Sequence, residues 1–264
     1  MSLAVWIVVP TYDEAASIER LLRGVASVLG TAAPGDHRIL VVDDGSPDGT
    51  AEIAEQLDAE LGVVEVLRRT EKGGLGQAYL AGFRHALAAG AQLVCEMDAD
   101  LSHDPLHLPA LLEAAQDADL VLGSRYVPGG GVTDWGLMRR LLSRGGCAYA
   151  RALLGLPLRD LTGGYKVIHR RVLEAIELET VRSQGYVFQI EITYRAVLAG
   201  FRVVEVPIVF RERDAGASKM SGKIALEAML RVPRLRRTAP AAVARARTAA
   251  AAVPRTSEPA SPAA

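Results

Sequence analysis

Short apolar runs alternate with segments of helical period through the first 125 residues of the chain. Between the runs, apolar residues recur every three or four positions. Continuous apolar strands joined by amphipathic helices predict a mostly parallel, Rossmann-like sheet with helices on both faces. The predicted fold class is therefore α/β. The runs of strand length are Val5–Val9, Arg38–Val42, Val63–Leu67, Leu93–Met97 and Leu120–Gly123.

Acids, glycines and basic residues follow the carboxyl ends of all five predicted strands. Since ligands of open α/β sheets bind outside the carboxyl ends of the strands, these loops predict one shared ligand site. The loop segments are Pro10–Glu14, Asp43–Thr50, Lys72–Gly76, Asp98–Asp100 and Ser124–Tyr126.

The carboxylates of Asp98 and Asp100 directly follow the fourth apolar run. Unpaired charges are too costly to bury in a core. Oxygen ligands suit Mg²⁺ or Mn²⁺, and Mg²⁺ also binds substrate phosphates. The alternative is a solvated loop that caps a helix, but the polar neighbouring loops favour a metal site. Ser102 is the next candidate ligand, whereas His103 and His107 are interpreted as residues that begin the following helix.

The loop after the second strand holds three acids with different predicted roles. Asp43 is predicted to accept hydrogen bonds from a nucleobase or ribose, and Asp44 and Asp48 are interpreted as turn residues. No Gly-x-Gly-x-x-Gly follows the first strand and no Walker lysine is present. This argues against a hydride-transfer enzyme and a P-loop kinase. The run Gly73–Gly76 is interpreted as allowing close approach of the backbone.

Several basic residues lie where they can meet phosphates. Arginine suits bidentate phosphate contacts and lysine supplies a point charge, although each residue alone is more often part of a surface salt bridge. The flexible, basic segment Arg211–Lys223 suits a loop that closes over a charged ligand. The candidates are Arg125, Arg139, Arg140, Arg213 and Lys219.

The carboxyl-terminal part of the chain has a different pattern. Gly136–Leu154 and Gly185–Ala199 are predicted helices, and Phe201–Phe210 is predicted as a final strand. Residues 222–237 predict a short basic amphipathic helix. Residues 238–264 are mostly Ala, Pro, Arg and Ser and predict a disordered tail.

The net charge of −1 gives no overall attraction to nucleic acid, so no nucleic-acid partner is expected. Residues 202–264 nevertheless contain 12 Lys or Arg and 5 Asp or Glu, which predicts contact with anionic phosphates or a membrane surface. The alternative is a solvated tail. No signal peptide and no membrane span are predicted. Cys95 and Cys147 are predicted to be core residues in a reducing cytosol.

Together these motifs resemble the family 2 inverting glycosyltransferases of GT-A fold, and within them the dolichol- or polyprenol-phosphate mannose synthases. The resemblance covers about residues 4–225. Many family 2 enzymes share the acids at the strand ends, and the last three segments point to the polyprenol-phosphate branch. The matching segments are Val8–Glu14, Val41–Thr50, Met97–His103, Gly123–Tyr126, Asp160–Tyr165, Arg139–Gly145, Gly185–Glu191 and Ser218–Met220.

The resemblance implies one GT-A domain over residues 1–237, with a nucleotide-sugar half at about 1–125 and an acceptor half at about 126–225. Asp100 would be the main metal ligand. Some relatives carry Gln where this chain has Ser102. The implied nucleotide contacts are Pro10, Tyr12, Glu14, Val41 and Asp43. The implied sugar and metal contacts are Asp98, Ala99, Asp100 and Ser102; the acceptor phosphate would meet Arg125 and Arg139, and the donor diphosphate Arg213 and Lys219.

The implied reaction moves mannose from GDP-mannose to a polyprenyl (dolichyl) phosphate, with inversion to a β-linked product. Because a phosphate monoester is already anionic, positioning and charge stabilisation suffice for catalysis. The alternatives are another donor such as UDP-glucose, or a polysaccharide acceptor. A Gln-x-x-Arg-Trp motif, typical of polymerising relatives, is absent. A non-enzymatic sensor would have a damaged acid pair.

Some relatives carry a carboxyl-terminal transmembrane region that this sequence lacks. The expected location is therefore peripheral, on the cytoplasmic face of a membrane. The basic helix, the lipid acceptor or a membrane-anchoring partner protein would provide the attachment.

Overall fold

The computed structural model describes residues 4–70, 72–212 and 230–244. The candidate phosphate-binding residues Arg213 and Lys219 lie outside these ranges, as does the first part of the predicted basic helix at 222–237.

A seven-stranded sheet forms the centre of the molecule, in the order β3-β2-β1-β4-β7-β5-β8. β7 is antiparallel to both of its neighbours, and the other pairs are parallel. A parallel two-stranded sheet joins β6 to β9. The strands are β1 Val5–Thr11, β2 His37–Asp43, β3 Val64–Arg68, β4 Leu93–Glu96, β5 Leu120–Ser124, β6 Gly131–Val132, β7 Lys166–His169, β8 Val203–Pro207 and β9 Val209–Phe210.

Helices cover both faces of the sheet. Alternate residues of β1 enter two separate cores, with Trp6 and Val8 in one and Val5, Ile7 and Val9 in the other. This confirms the predicted α/β class with a mostly parallel sheet. The helices are α1 Ile18–Ala32, α2 Thr50–Leu61, α3 Leu75–Ala88, α4 Leu108–Ala114, α5 Leu137–Leu154, α6 Arg170–Ala175, α7 Gly185–Leu198 and α8 at residues 230–244, with 3-10 turns at Pro105–His107 and Leu178–Thr180.

Two strands differ from the sequence expectation. The strand β7 was not predicted, because only Val167 and Ile168 are apolar in it. The final run, expected as one strand, divides into β8 and β9. Pro207 has no amide hydrogen with which to continue the ladder, and the chain then leaves the main sheet to pair with β6.

The predicted disorder from residue 238 onward is wrong for its first part, since α8 continues to residue 244. Alanine is the best helix former, and the spacing of the buried residues places them on one face of the helix. Residues 245–264 lie outside the described ranges. The buried residues of α8 are Val232, Leu235, Ala239, Ala242 and Val243.

Within the described part of the chain, no helix is long and apolar enough to cross a membrane. Cys95 and Cys147 are buried and free, as expected for small core residues.

Candidate active site

A cavity of about 360 Å³ opens at the carboxyl ends of the parallel strands. The loops after β1, β2, β3 and β4 contribute to it, as the sequence predicted, but the loop after β5 does not. The start of α7 and the segment before β7 complete the wall. The lining residues are Pro10, Thr11, Tyr12, Glu14, Asp44, Lys72, Gly74, Leu75, Ala78, Asp98, Ala99, Asp100, Thr162, Gly164, Gln184, Gly185, Tyr186, Val187 and Gln189.

Asp98 and Asp100 both line this cavity, immediately beyond β4. Asp98 is partly exposed and accepts a hydrogen bond from the Tyr79 hydroxyl at 3.1 Å. Asp100 is buried, and its Oδ1 accepts a hydrogen bond from the Ser102 backbone at 3.1 Å. Between Asp100 and Ser102, Leu101 has a φ of +63°, a conformation rare for a branched residue. Backbone strain of this kind clusters at functional sites.

The acid pair fits a hard divalent cation. Mg²⁺ usually binds through one or two carboxylates and takes its other ligands from water and substrate phosphates. Asp98 and Asp100 supply two such carboxylates. Among residues 4–70, 72–212 and 230–244, no cluster of three or more His, Cys, Asp or Glu side chains is placed to hold a metal alone.

Ser102 is not placed as a metal ligand. Its side chain is fully buried and does not line the cavity, and its hydroxyl donates to Oδ1 of Asp100 at 2.5 Å. The turn from Asp100 to Ser102 brings the hydroxyl back onto the carboxylate. Ser102 therefore orients the expected ligand.

His103 lies beneath the acid pair. Its Nδ1 accepts a hydrogen bond from the Asp98 backbone N–H at 3.0 Å, so the ring proton of the neutral form sits on Nε2, 3.9 Å from Asp98 Oδ2. Burial lowers the pKa of His103, more than the nearby carboxylates raise it. The ring stacks on Tyr165, with 4.8 Å between centroids. His103 thus acts as a neutral support for the Asp98 backbone.

Tyr79 supports the same carboxylate from α3. Burial first, and then the negative charge of Asp98, raise the pKa of Tyr79 well above its ordinary value. The phenol therefore stays protonated and donates to Asp98. Its ring stacks on Phe188 of α7, with 5.8 Å between centroids.

The structure reverses the expected placement of Asp43 and Asp44. The carboxylate of Asp43 does not line the cavity and accepts hydrogen bonds from the Thr11 hydroxyl at 2.9 Å and from backbone N–H groups of Gly45 and Ser46 at 3.1 and 2.9 Å. The hydroxyl of Ser46 donates to it as well. Asp43 therefore holds the turn after β2.

Asp44 lines the cavity instead. It pairs with Arg69 and accepts hydrogen bonds from the N–H groups of Gly73 and Gly74 at 3.1 and 3.2 Å. Its carboxylate joins the loops after β2 and β3. Asp48 accepts hydrogen bonds from Thr50 at the start of α2, as its interpretation as a turn residue requires.

The first loop reaches the cavity as expected, through Pro10, Tyr12 and Glu14. Val41 does not, because its side chain is fully buried in the second core. Lys72, which is not among the predicted contacts, lines the cavity with its Nζ 3.2 Å from the Tyr12 ring centroid. The position of this lysine directly before the glycine run was the feature of the sequence that could have predicted its contact with the cavity.

Arg125 does not line the cavity. It is buried and forms a bidentate pair with Asp160, with both nitrogen–oxygen distances 2.7 Å. Its Nη2 also donates to the Thr162 hydroxyl at 2.9 Å, and Thr162 does line the cavity. Burial raises the pKa of Asp160, but the charge and hydrogen bonds of Arg125 outweigh it, so the net pKa is lowered.

Trp135 connects the two arginines expected at the acceptor phosphate. Its ring centroid is 5.5 Å from the Arg125 guanidinium and 4.1 Å from that of Arg139. Arg139 also pairs with Glu212, and it too is absent from the cavity lining. Both arginines therefore lie in one aromatic cluster next to the cavity.

A buried charged pair stands behind the site. Lys166 of β7 donates to the backbone carbonyl of Gln189 at 3.0 Å and to its side-chain oxygen, and Gln189 lines the cavity. The Lys166 Nζ lies 3.9 Å from Glu96 of β4. Burial raises the pKa of Glu96, and Lys166 opposes this. The pair fixes Gln189 at the wall.

A Rossmann-like sheet with an acid pair that lines the cavity directly after β4 is the arrangement expected of a GT-A glycosyltransferase. The chain belongs to glycosyl transferase family 2, and the sequence model of that family matches residues 6–177.

Two curated relatives match nearly the whole chain. An undecaprenyl-phosphate mannosyltransferase of Micrococcus luteus is 48% identical over 88% of this chain and 93% of its own. A polyprenol monophosphomannose synthase of Mycolicibacterium smegmatis is 50% identical over 86% of this chain and 84% of its own.

Solved structures share the fold at lower identity. Glucosyl-3-phosphoglycerate synthase from Mycobacterium tuberculosis, solved with Mn²⁺ and UDP-glucose, gives a TM-score of 0.60 at 20% identity, over 86% of this chain and 76% of its own. Mannosyl-3-phosphoglycerate synthase from Rubrobacter xylanophilus gives 0.64 at 23% identity, over 90% and 76%.

Proposed function

We propose that the protein transfers mannose from GDP-mannose to a polyprenyl phosphate, giving polyprenyl phosphate β-mannose and GDP. The observation that carries this proposal is the pair of relatives, near half identity and nearly full length, named for mannose transfer to such lipids. The intact acid pair at the cavity supports an active enzyme.

Asp98 and Asp100 would hold Mg²⁺ or Mn²⁺. The neighbour of the same fold solved with Mn²⁺ and UDP-glucose supports a divalent ion in this kind of fold. When bound, such an ion stabilises the charge on a departing diphosphate. Ser102 and His103 contribute by fixing the Asp100 carboxylate and the Asp98 backbone.

The nucleotide would lie over the loops after β1, β2 and β3, against Pro10, Tyr12, Glu14, Asp44 and Lys72. Asp43 would act indirectly, by holding the turn that presents Asp44. The sugar would lie over Asp98, Ala99 and Asp100. Arg213 and Lys219 stay predictions as contacts to the diphosphate.

The acceptor phosphate would approach from the cluster of Arg125, Trp135 and Arg139. Within the described residues, no group accepts a hydrogen bond from the buried Nε of Arg139, and a phosphate oxygen is a suitable acceptor for it. A phosphate monoester needs no strong base, because its oxygen is already anionic. A single displacement at the anomeric carbon would invert the donor's α linkage.

Because the acceptor is a membrane lipid, the enzyme would work at a membrane surface, on its cytoplasmic face. A membrane-anchoring partner protein stays a prediction.

The test offers purified protein, a short-chain polyprenyl phosphate and Mg²⁺ or Mn²⁺ to radiolabelled GDP-mannose and UDP-glucose in parallel. We expect organic-extractable label from GDP-mannose alone. Asp100→Asn should abolish the label, whereas replacing Asp117, an exposed acid that does not line the cavity, in Asp117→Asn should not. Label from UDP-glucose alone would overturn GDP-mannose as the proposed donor. No label from either donor would overturn polyprenyl phosphate as the proposed acceptor.

A further inference from the structure

The helix α5 buries only a narrow strip of its surface. The buried residues Ser143, Cys147, Ala150 and Leu154 are spaced four, three and four apart and therefore share one side. Large apolar side chains are exposed on the opposite side, about 180° away at 100° per residue. They are Leu137 (74% exposed), Met138 (69%), Leu141 (56%) and Leu142 (44%).

These four side chains form one contiguous patch. Leu137 and Leu141, like Met138 and Leu142, are four residues apart and so are neighbours along the helix. Single exposed apolar residues are ordinary on protein surfaces. A contiguous apolar patch bordered by polar residues instead marks a protein or membrane interaction site.

The charges of α5 distinguish between these two partners. The helix contains four arginines and no Asp or Glu. Arg140, Arg144 and Arg151 are exposed and lie along one flank, between the buried strip and the apolar patch. Two copies meeting through this face would bring like charges together, whereas an apolar face with a basic flank suits the plane of an anionic bilayer.

We propose that α5 docks the protein on an anionic lipid bilayer. Leu137, Met138, Leu141 and Leu142 enter the boundary between headgroups and acyl chains, and the arginine flank meets the headgroups. This docking rests on the proposed function and deepens it. Arg139, on the inner side of the same helix, contacts Trp135. Docking thus brings the cluster of Arg125, Trp135 and Arg139, from which the acceptor phosphate would approach, to the depth of the lipid phosphates in the bilayer.

The described part of the basic carboxyl-terminal helix fits this role less well. Val232, Leu235 and Ala239 of α8 pack into the first core, so its apolar face is already covered. Leu230 is the one large apolar side chain that α8 exposes among its described residues, at 63%. It therefore offers a matched control for α5.

The experiment is sedimentation of the full chain with phosphatidylcholine–phosphatidylglycerol vesicles, without nucleotide sugar or acceptor. Leu137→Ser/Leu141→Ser should weaken vesicle binding by about tenfold or more. Arg140→Gln/Arg144→Gln should weaken it by about fivefold per arginine, and salt should weaken wild-type binding. Leu230→Ser should bind like the wild type. Circular dichroism and a melting curve establish that each variant is folded.

Equal vesicle binding by Leu137→Ser/Leu141→Ser and the wild type would overturn the proposal, as would no binding by the wild type. A dimer that dissociates in Leu137→Ser/Leu141→Ser, together with no vesicle binding, would make the patch a contact between copies. Mannose transfer to a detergent-dispersed short-chain acceptor, which Leu137→Ser/Leu141→Ser should retain, separates the two claims. Transfer without vesicle binding refutes docking alone, and vesicle binding without transfer refutes the proposed function.

Discussion

The carboxylate of Asp160 meets Nε and Nη2 of Arg125 at 2.7 Å each and accepts the backbone N–H of the same arginine at 2.9 Å. Asp160→Asn would leave a buried guanidinium without its counter-charge. It should lower the free energy of unfolding by about 3–5 kcal/mol, as measured by urea denaturation. Arg125→Lys should also destabilise the protein, because an ammonium cannot make the bidentate contact. A loss under about 1 kcal/mol, typical of an exposed pair, would contradict this.

The same pair predicts a dependence of stability on pH. Asp160 has a lowered pKa in the folded protein, so its contribution is complete above the unfolded pKa of about 3.9. It is lost as pH falls toward and through the folded pKa. Urea titrations between about pH 6 and pH 3 should show a shallower loss for Asp160→Asn than for the wild type. Parallel curves would refute the assignment.

Ser102 should act on metal binding through Asp100. Removing its hydroxyl in Ser102→Ala should weaken Mn²⁺ binding by about tenfold or more, as is usual for groups that orient ligands. Mn²⁺ titration followed by electron paramagnetic resonance measures this. Ser143→Ala is the control, since Ser143 is also buried and its hydroxyl bonds to Tyr126, away from the acid pair. Equal Mn²⁺ affinity in both variants would speak against the role of Ser102.

Substitutions of the adjacent acids Asp43 and Asp44 should have different effects, one on stability and the other on binding of the nucleotide sugar. Asp43→Asn disturbs a carboxylate with four internal donors and should lower the free energy of unfolding by about 2 kcal/mol or more. Asp44→Asn should weaken binding of the nucleotide sugar by about tenfold. Calorimetric binding and urea denaturation of both variants test this, and the opposite pattern would restore the role first expected for Asp43.

Glu96 and Lys166 should show strong energetic coupling. Lys166→Met leaves a buried carboxylate unpaired and should lower the free energy of unfolding by about 3–5 kcal/mol. Glu96→Gln/Lys166→Met removes both charges and should be less destabilised than the sum of its single variants. Urea denaturation of the complete cycle measures the coupling, and simple additivity would exclude it.

Gly82 should tolerate no side chain, because a Cβ there would lie 2.4 Å from Val8 Cγ1, where α3 crosses β1. Gly82→Ala should destabilise the protein by about 1–3 kcal/mol. Gly30 lies in α1, and a Cβ added there would have no atom within 4 Å apart from its chain neighbours and the adjoining backbone of the helix. Gly30→Ala should therefore stabilise by about 0.5–1 kcal/mol. Melting temperatures that move in the same direction would contradict this.

Local patterns predicted β1 to β5 and the position of the acid pair, because apolar periodicity and strand ends depend on residues that are close together in the sequence. They did not predict β7, which has two apolar residues and a buried lysine that needs Glu96 and Gln189. The partner of Arg125 is 35 residues away. Asp43 and Asp44 have the same chemistry, and only the geometry of the turn decides which one reaches the cavity.

The antiparallel strand β7 makes the first 125 residues dependent on a later part of the chain. β5 pairs only with β7 and β8 within the described sheets, and β4 has β7 as its second neighbour. During synthesis, β5 has no hydrogen-bonded partner in the sheet until residue 169 has left the ribosome. The two predicted halves therefore cannot fold one after the other, and a fragment ending before Lys166 would leave β5 without a partner and one edge of β4 unpaired, which favours aggregation.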